Sequence, residues 1–231
     1  MQIHGLNKTT LLDYPEHVAA TIFTGGCNFR CPFCHNGELV LHPGSYPLIG
    51  EEEILTFLKK RKGILSGVCI TGGEPTLQPD LEDFIKKIKE LGYLIKLDTN
   101  GYKPDVLYRL LKEGLLDYVA MDIKHSKEKY GLATGVSEID IAKVAESVEL
   151  LKQEKTAYEF RTTVVKGIHA QEDFYAIGEW LRGAKAYYLQ SYRDEEQVIC
   201  RNFTAFEKEE MEALLQLLSP YIRKVQLRGV E

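Results

Sequence analysis

Val18-Ala19-Ala20-Thr21-Ile22-Phe23-Thr24-Gly25-Gly26-Cys27-Asn28-Phe29-Arg30-Cys31-Pro32-Phe33-Cys34-His35-Asn36 joins an apolar, β-rich run to a glycine pair and a short loop with three of the chain's five cysteines. Val18–Thr24 reads as a strand. The loop then spaces its thiols C-x3-C-x2-C at Cys27, Cys31 and Cys34. A [4Fe–4S] cube has four irons, each wanting one outside ligand, and thiolates are the usual ones. Three thiolates on one loop leave one iron open to something that is not protein. That is the pattern of a cluster that acts on a bound ligand rather than one that only carries electrons.

Two other readings of the cysteines are open at this point. A disulfide framework fits poorly, because five is odd and Met1 to Pro15 has no apolar signal-like segment. Zinc is the stronger rival, since Cys27, Cys31, Cys34 and His35 nominally supply four ligands. Adjacent Cys34 and His35 would have difficulty facing one tetrahedral ion, however, and structural zinc sites usually draw a second ligand pair from farther along the chain. Cys69 sits in an apolar strand and Cys200 in a polar stretch, so both read as packing or incidental residues.

Outward from the loop, β-rich runs alternate with amphipathic stretches, the pattern of repeated βα units. Strands are predicted at Val18–Thr24, Gly67–Thr71, Tyr93–Asp98, Tyr118–Asp122, Tyr158–Val165 and Ala184–Gln190, with Val225–Leu227 as a short addition. Helices are predicted near Glu51–Lys62, Pro79–Leu91, Pro104–Glu113, Ile139–Glu154, Asp173–Leu181 and Glu207–Leu218. Leu81, Phe84, Ile85, Ile88 and Leu91 recur at helical spacing, and Gly92 marks the stop. No linker or repeat divides the chain, so residues 1–231 read as one domain with the cluster loop at 25–36.

In barrels of βα units the chemistry lies at the C-terminal ends of the strands. The unusual residues fall there in order: the Cys loop, Thr71-Gly72-Gly73-Glu74-Pro75, Asp98-Thr99-Asn100-Gly101 and Asp122-Ile123-Lys124. Gly72 and Gly73 would let backbone approach a ligand without a Cβ in the way, and the Glu74 carboxylate could meet an ammonium group. In isolation, Asp98 to Gly101 is an Asx-type turn, and Asp122 with Lys124 is an exposed ion pair. Arg161 interrupts an apolar strand, so it must be paired or must reach solvent.

The Cys loop, with aromatic Phe33 before its third Cys, resembles that of the radical S-adenosylmethionine (radical SAM) superfamily. His35-Asn36, the opening Lys8-to-Pro15 segment and the closing Tyr221-to-Gly229 segment are similar to the subgroup that activates glycyl-radical enzymes, in particular anaerobic ribonucleoside-triphosphate reductase activating proteins. The resemblance implies an α/β fold of partial, open (β/α)6 barrel type, because six units are too few to close an eight-stranded barrel. It implies a [4Fe–4S] cluster on Cys27, Cys31 and Cys34. SAM would be bound by Phe33, Gly72, Gly73, Glu74, Asp98, Asn100 and Asp122, and the two aspartates would hold a monovalent cation. Lys124 and Arg161 would face the substrate. The implied partners are a glycyl-radical enzyme and an external one-electron donor such as flavodoxin or ferredoxin. Lys166 stands where related activases often have proline, and Leu189-Gln190-Ser191-Tyr192 lies where some formate-lyase-type activases place a histidine.

Composition narrows the field. The apolar fraction of 44% supports a sizeable core, and a net charge of −5 argues against a general nucleic-acid binder. No apolar run of membrane-spanning length occurs, so a cytoplasmic, reducing and oxygen-poor setting is expected. With only Cys69 and Cys200 to spare, all-Cys ligation of another typical cluster is excluded. His4, His17, His42, His125 and His169 have no metal-like spacing and read as surface or packing residues, whereas His35 adjoins a candidate ligand and could hydrogen-bond to a cluster. Two rivals are carried forward: a single-cluster radical SAM enzyme acting on a small molecule, nucleotide or RNA base, and a non-enzymatic Fe–S or zinc interaction module.

Overall fold

The computed structural model describes residues 1–153 and 155–230. One sheet runs through it in sequence order: β1 (Ile3–Thr10), β2 (Ala19–Thr24), β3 (Gly67–Gly72), β4 (Leu94–Thr99), β5 (Tyr118–Asp122), β6 (Ala157–Val164), β7 (Tyr187–Ser191) and β8 (Val225–Arg228). β1 is antiparallel to β2, and every later pair is parallel. The helices are α1 (Gly37–Leu41), α2 (Glu51–Lys60), α3 (Leu81–Glu90), α4 (Pro104–Lys112), α5 (Tyr130–Thr134), α6 (Ile141–Lys152), α7 (Asp173–Trp180) and α8 (Lys208–Leu218). β2 through α8 make the six expected βα units, and β1 and β8 flank them as the sheet's unjoined edges.

β1 is a strand the sequence does not announce: only Ile3 and Thr10 of its eight residues are buried, so no alternation marks it. α1 and α5 have five residues each, too few to show a period. The strand expected from Ala184 begins only at Tyr187, because the Ala184 amide closes a turn onto Leu181 O. The predicted end of the α6 segment, Glu154, and the predicted domain end at 231 lie outside the described residues.

The two faces of the sheet differ in chemistry. Ile95, Leu97, Val119, Met121 and Phe160 are fully buried in the apolar core. α3 presents Leu81, Phe84, Ile85 and Ile88 to that core, with Glu82 and Asp83 in its first turn and Lys87 and Lys89 in its last, the charge order that suits a helix dipole. Residues alternating with the apolar ones project the other way. Arg161 of β6 reaches Asp98 of β4 past β5, and Arg228 of β8 forks onto Glu159 of β6 past β7 at 2.6 and 2.8 Å. These bridges between non-adjacent strands gather polar side chains on one face of the sheet, the face that lines the interior of an open, partial barrel.

Truncating the apolar side should be costly. Phe84→Ala removes a fully buried ring and should lower unfolding free energy by about 3–5 kcal/mol, read as a reduced urea midpoint with an unchanged m-value.

Candidate active site at the C-terminal ends of the parallel strands

All twelve site residues singled out in the sequence line one cavity: Cys27, Cys31, Phe33 and Cys34 from the loop after β2; Gly72, Gly73 and Glu74 after β3; Asp98 and Asn100 at β4; Asp122 and Lys124 at β5; and Arg161 of β6. The loop is shaped by local bonds. Cys34 N donates to Cys31 O at 3.0 Å, Phe29 N donates to Cys27 Sγ at 3.4 Å, and Arg30 N donates to Thr134 O at 2.8 Å. Phe33 is buried, its ring 6.1 Å from His169. Burial, with nearby Glu74, pushes the Cys27 thiol up to about 12; burial pushes Cys31 up to about 11 against the opposing charge of Lys124. Cys34 is raised by the same burial. Among the described residues no three His, Cys, Asp or Glu side chains converge on a single-ion site.

The glycine pair has a structural reason that differs from the expected one. Gly72 has φ = 112°, and a Cβ there would collide with Thr24 backbone; one on Gly73 would collide with Gly26 O. The absent side chains therefore admit the cluster loop's backbone: Gly73 N donates to Thr24 O and Glu74 N to Gly26 O, both at 2.8 Å. Asn36 Nδ2 closes the loop's far end onto Gly72 O at 2.8 Å.

Glu74 likewise departs from the simple expectation. Its side chain is buried, and Oε1 accepts from Thr76 N (3.1 Å), Thr76 Oγ1 (2.5 Å) and Thr99 Oγ1 (2.7 Å), while Oε2 accepts from Asn100 N (2.7 Å). Burial raises its pKa and the four hydrogen bonds oppose that rise. The carboxylate thus ties the end of β3 to the end of β4. Asn100 Oδ1 accepts Tyr102 N at 3.0 Å, the Asx turn read from the sequence.

Across β4, β5 and β6 runs an alternating ladder of charge. Lys96 pairs with Asp98 Oδ1, and Arg161 donates to Asp98 Oδ2 at 3.2 Å and to Asp122 Oδ1 at 2.8 Å. Lys124 Nζ reaches Asp122 Oδ2 at 3.0 Å. Burial disfavours ionisation of both aspartates, but Arg161 outweighs it, with Lys96 for Asp98 and Lys124 for Asp122, so both carboxyls lie below their ordinary value. Every oxygen of the two carboxylates faces a protein cation. Lys96 was missed in the sequence, although it carries the signal that exposed Arg161, a charge inside the apolar strand Leu94-Ile95-Lys96-Leu97.

The remaining expectations sort cleanly. Cys69 is buried in β3 and Cys200 is exposed; neither lines the cavity. His125 and His169 are a stacked, buried pair at 4.9 Å, and none of the five unassigned histidines lines the cavity. His35 does line it, but its Nε2 contacts Arg193 O at 2.8 Å.

With this geometry in view the comparisons are decisive: residues 21–180 match the radical SAM superfamily. The chain is a member of that superfamily. A Methanocaldococcus jannaschii protein, provisionally named a glycyl-radical enzyme activating enzyme, is 30% identical over 99% of this chain and 96% of its own length. The pyruvate formate-lyase-activating enzyme of Clostridium pasteurianum is 35% identical over 58% of this chain, which spans 57% of it. Streptococcus suis SuiB superposes with a TM-score of 0.70 at 14% identity, covering 89% of this chain and 47% of SuiB, a likeness that shows the fold alone. Radical SAM proteins use a [4Fe–4S] cluster and SAM, and no helix among the described residues is long and apolar enough to cross a membrane.

Two outcomes follow from the site's hydrogen bonds. Glu74→Gln in this radical SAM protein sets an amide donor against donors and should cost about 1–3 kcal/mol, seen as a lower thermal midpoint of the metal-free chain. Asp98 and Asp122 have depressed pKa values, so their stabilisation is present above the unfolded value of about 3.9 and lost as pH falls through their folded values. The stability gap between wild type and Asp122→Asn should therefore be constant from pH 7 to 5 and shrink on further acidification, as urea melts at each pH would measure.

Proposed function

We propose that this protein is an activase: it cleaves SAM reductively and stores the resulting radical on a glycine of a partner enzyme. The observation that carries the reading is one cavity lined by three thiols and by four consecutive strand ends, in a chain matched along nearly its full length by a relative named for that activity.

The residues fit the cofactors. Three thiols on one loop suit a cube with one open iron, whereas adjacent Cys34 and His35 would have difficulty facing one tetrahedral zinc ion. When bound, the cluster and SAM supply one-electron cleavage of the C5′–S bond, giving methionine and a 5′-deoxyadenosyl radical. Cys27, Cys31 and Cys34 would hold the cluster, with Phe33 packing the loop beneath it. Their raised thiol pKa values mean that cluster assembly must release protons. Gly72, Gly73 and Glu74 would shape the methionine end of SAM, with Glu74 acting through the strand ends it joins. Asp98, Asn100 and Asp122 would line the SAM side, where the two aspartates would also be the place for a monovalent cation.

Lys124 and Arg161 would face the incoming glycine-bearing segment. Arg161 is fixed by two carboxylates, so it presents a pre-oriented guanidinium rather than a mobile one. The unjoined edges β1 and β8 leave the barrel open, and an extended loop needs that opening to bring its α-carbon within about 3–3.5 Å of a reacting carbon. The partner we favour is anaerobic ribonucleoside-triphosphate reductase, with flavodoxin or ferredoxin as one-electron donor and the whole chain acting as one domain.

Anaerobic reconstitution should yield about four irons per chain. Reduction in the presence of SAM should yield 5′-deoxyadenosine, abolished by alanine at Cys27, Cys31 or Cys34 and retained in Cys69→Ala and Cys200→Ala. A partner peptide deuterated at the glycine α-carbon should pass its label to 5′-deoxyadenosine. Label arriving instead from a nucleotide or RNA base would replace this reading with the small-molecule one.

A further inference from the structure

Cys27 is set apart from the other two loop thiols by a pair of side-chain amides. Asn100 Nδ2 lies 3.7 Å from Cys27 Sγ and 2.9 Å from Asn28 Oδ1. The orientation of the Asn100 amide follows from its neighbours. Its oxygen accepts the Tyr102 N–H at 3.0 Å, and a backbone N–H can only donate, so the amide's donor end must face Cys27. The Asn100 backbone is held too, because its N–H is bound by the buried Glu74 carboxylate at 2.7 Å. Asn28 is oriented by the same logic: its oxygen takes the Asn100 donor, which turns its own Nδ2 to a buried position with no acceptor among the described residues. Phe29 N adds a backbone donor to the same sulfur at 3.4 Å.

We propose that Asn100 is a hydrogen-bond donor to the Cys27 sulfur that raises the reduction potential of the bound cluster, with Asn28 as the residue that positions it. This rests on the cluster assignment to Cys27, Cys31 and Cys34, and not on the glycyl-radical reading. Reduction adds one electron, supplied by the external one-electron donor, and increases the negative charge on the ligand sulfurs. An N–H···S bond therefore stabilises the reduced cluster more than the oxidised one, and such bonds are among the factors that set Fe–S potentials. The role is useful in this chemistry. A cluster low enough to reduce a sulfonium is hard for a physiological donor to reduce, and a neutral amide eases that step without adding a charge to the SAM pocket.

The test is an EPR-monitored potentiometric titration of the anaerobically reconstituted protein without SAM. Asn100→Ala should make the cluster threefold to tenfold harder to reduce, a negative shift of roughly 30–60 mV at about 59 mV per tenfold for one electron. Asn28→Ala should shift it the same way by less. Iron content and thermal midpoint distinguish this from a merely structural defect, and protein labelled with asparagine carrying 15N only in the side-chain amide, which leaves the Asn36 backbone N–H beside Cys34 unlabelled, should show a 15N coupling to the reduced cluster that Asn100→Ala abolishes. An iron-replete Asn100→Ala protein with an unchanged potential would overturn the proposal. If that variant fails to assemble a cluster, absence of the 15N coupling in wild type would overturn it equally. A wild-type protein that takes up no iron sinks this inference and the cluster assignment together, whereas a normal potential shift without any glycyl radical sinks only the activase reading.

Discussion

The interior of a half-open barrel has to hold charge without the help of a closed apolar core, and the ladder Lys96–Asp98–Arg161–Asp122–Lys124 is how this chain does so. It spans β4, β5 and β6 on the face that lines the interior, and each carboxylate is shared between two cations. Removing either aspartate would leave buried cations uncompensated, a far larger penalty than the ladder's net worth. The ladder also sets the site's electrostatics: three cations against two anions leave a net positive charge, with Lys124 close enough to Cys31 and Cys34 to favour their thiolates. The side chains that hold the strands together are thus also the ones that set the charge of the cavity.

A second constraint is backbone proximity. Thr24, Gly26, Gly72 and Gly73 pack main chain against main chain, so the cluster loop and the end of β3 are positioned together. Glu74 extends this to β4, and through Asn100 to Cys27. The thiol loop, the glycine pair and the Asx turn are consecutive links in one bonded path, which explains why four separate strand ends arrive at one cavity with defined geometry.

Much of this was legible in the sequence. The six βα units, the parallel order and the placement of every selected residue at one end follow from alternating periodicity and from chemistry-bearing residues at strand ends. What escaped was whatever lacks a period or a local signature. β1 buries only Ile3 and Thr10, and α1 and α5 are single turns or little more. Partnership across strands was also hidden: nothing in Gly72-Gly73-Glu74 says that the glycines admit backbone, or that Thr76, Thr99 and Asn100 saturate the carboxylate. The Asp122–Lys124 pair is local and legible, but Arg161 reaches both aspartates from β6, and only the charges inside apolar runs, Lys96 and Arg161, hint at that pairing.

The central claim is that three thiolates hold a four-iron cluster whose fourth iron is reserved for SAM. Mössbauer spectroscopy of protein reconstituted with 57Fe tests it directly. One of four irons should change its isomer shift and quadrupole splitting when SAM is added, while the other three keep theirs. Four irons that remain unchanged by saturating SAM would contradict the account.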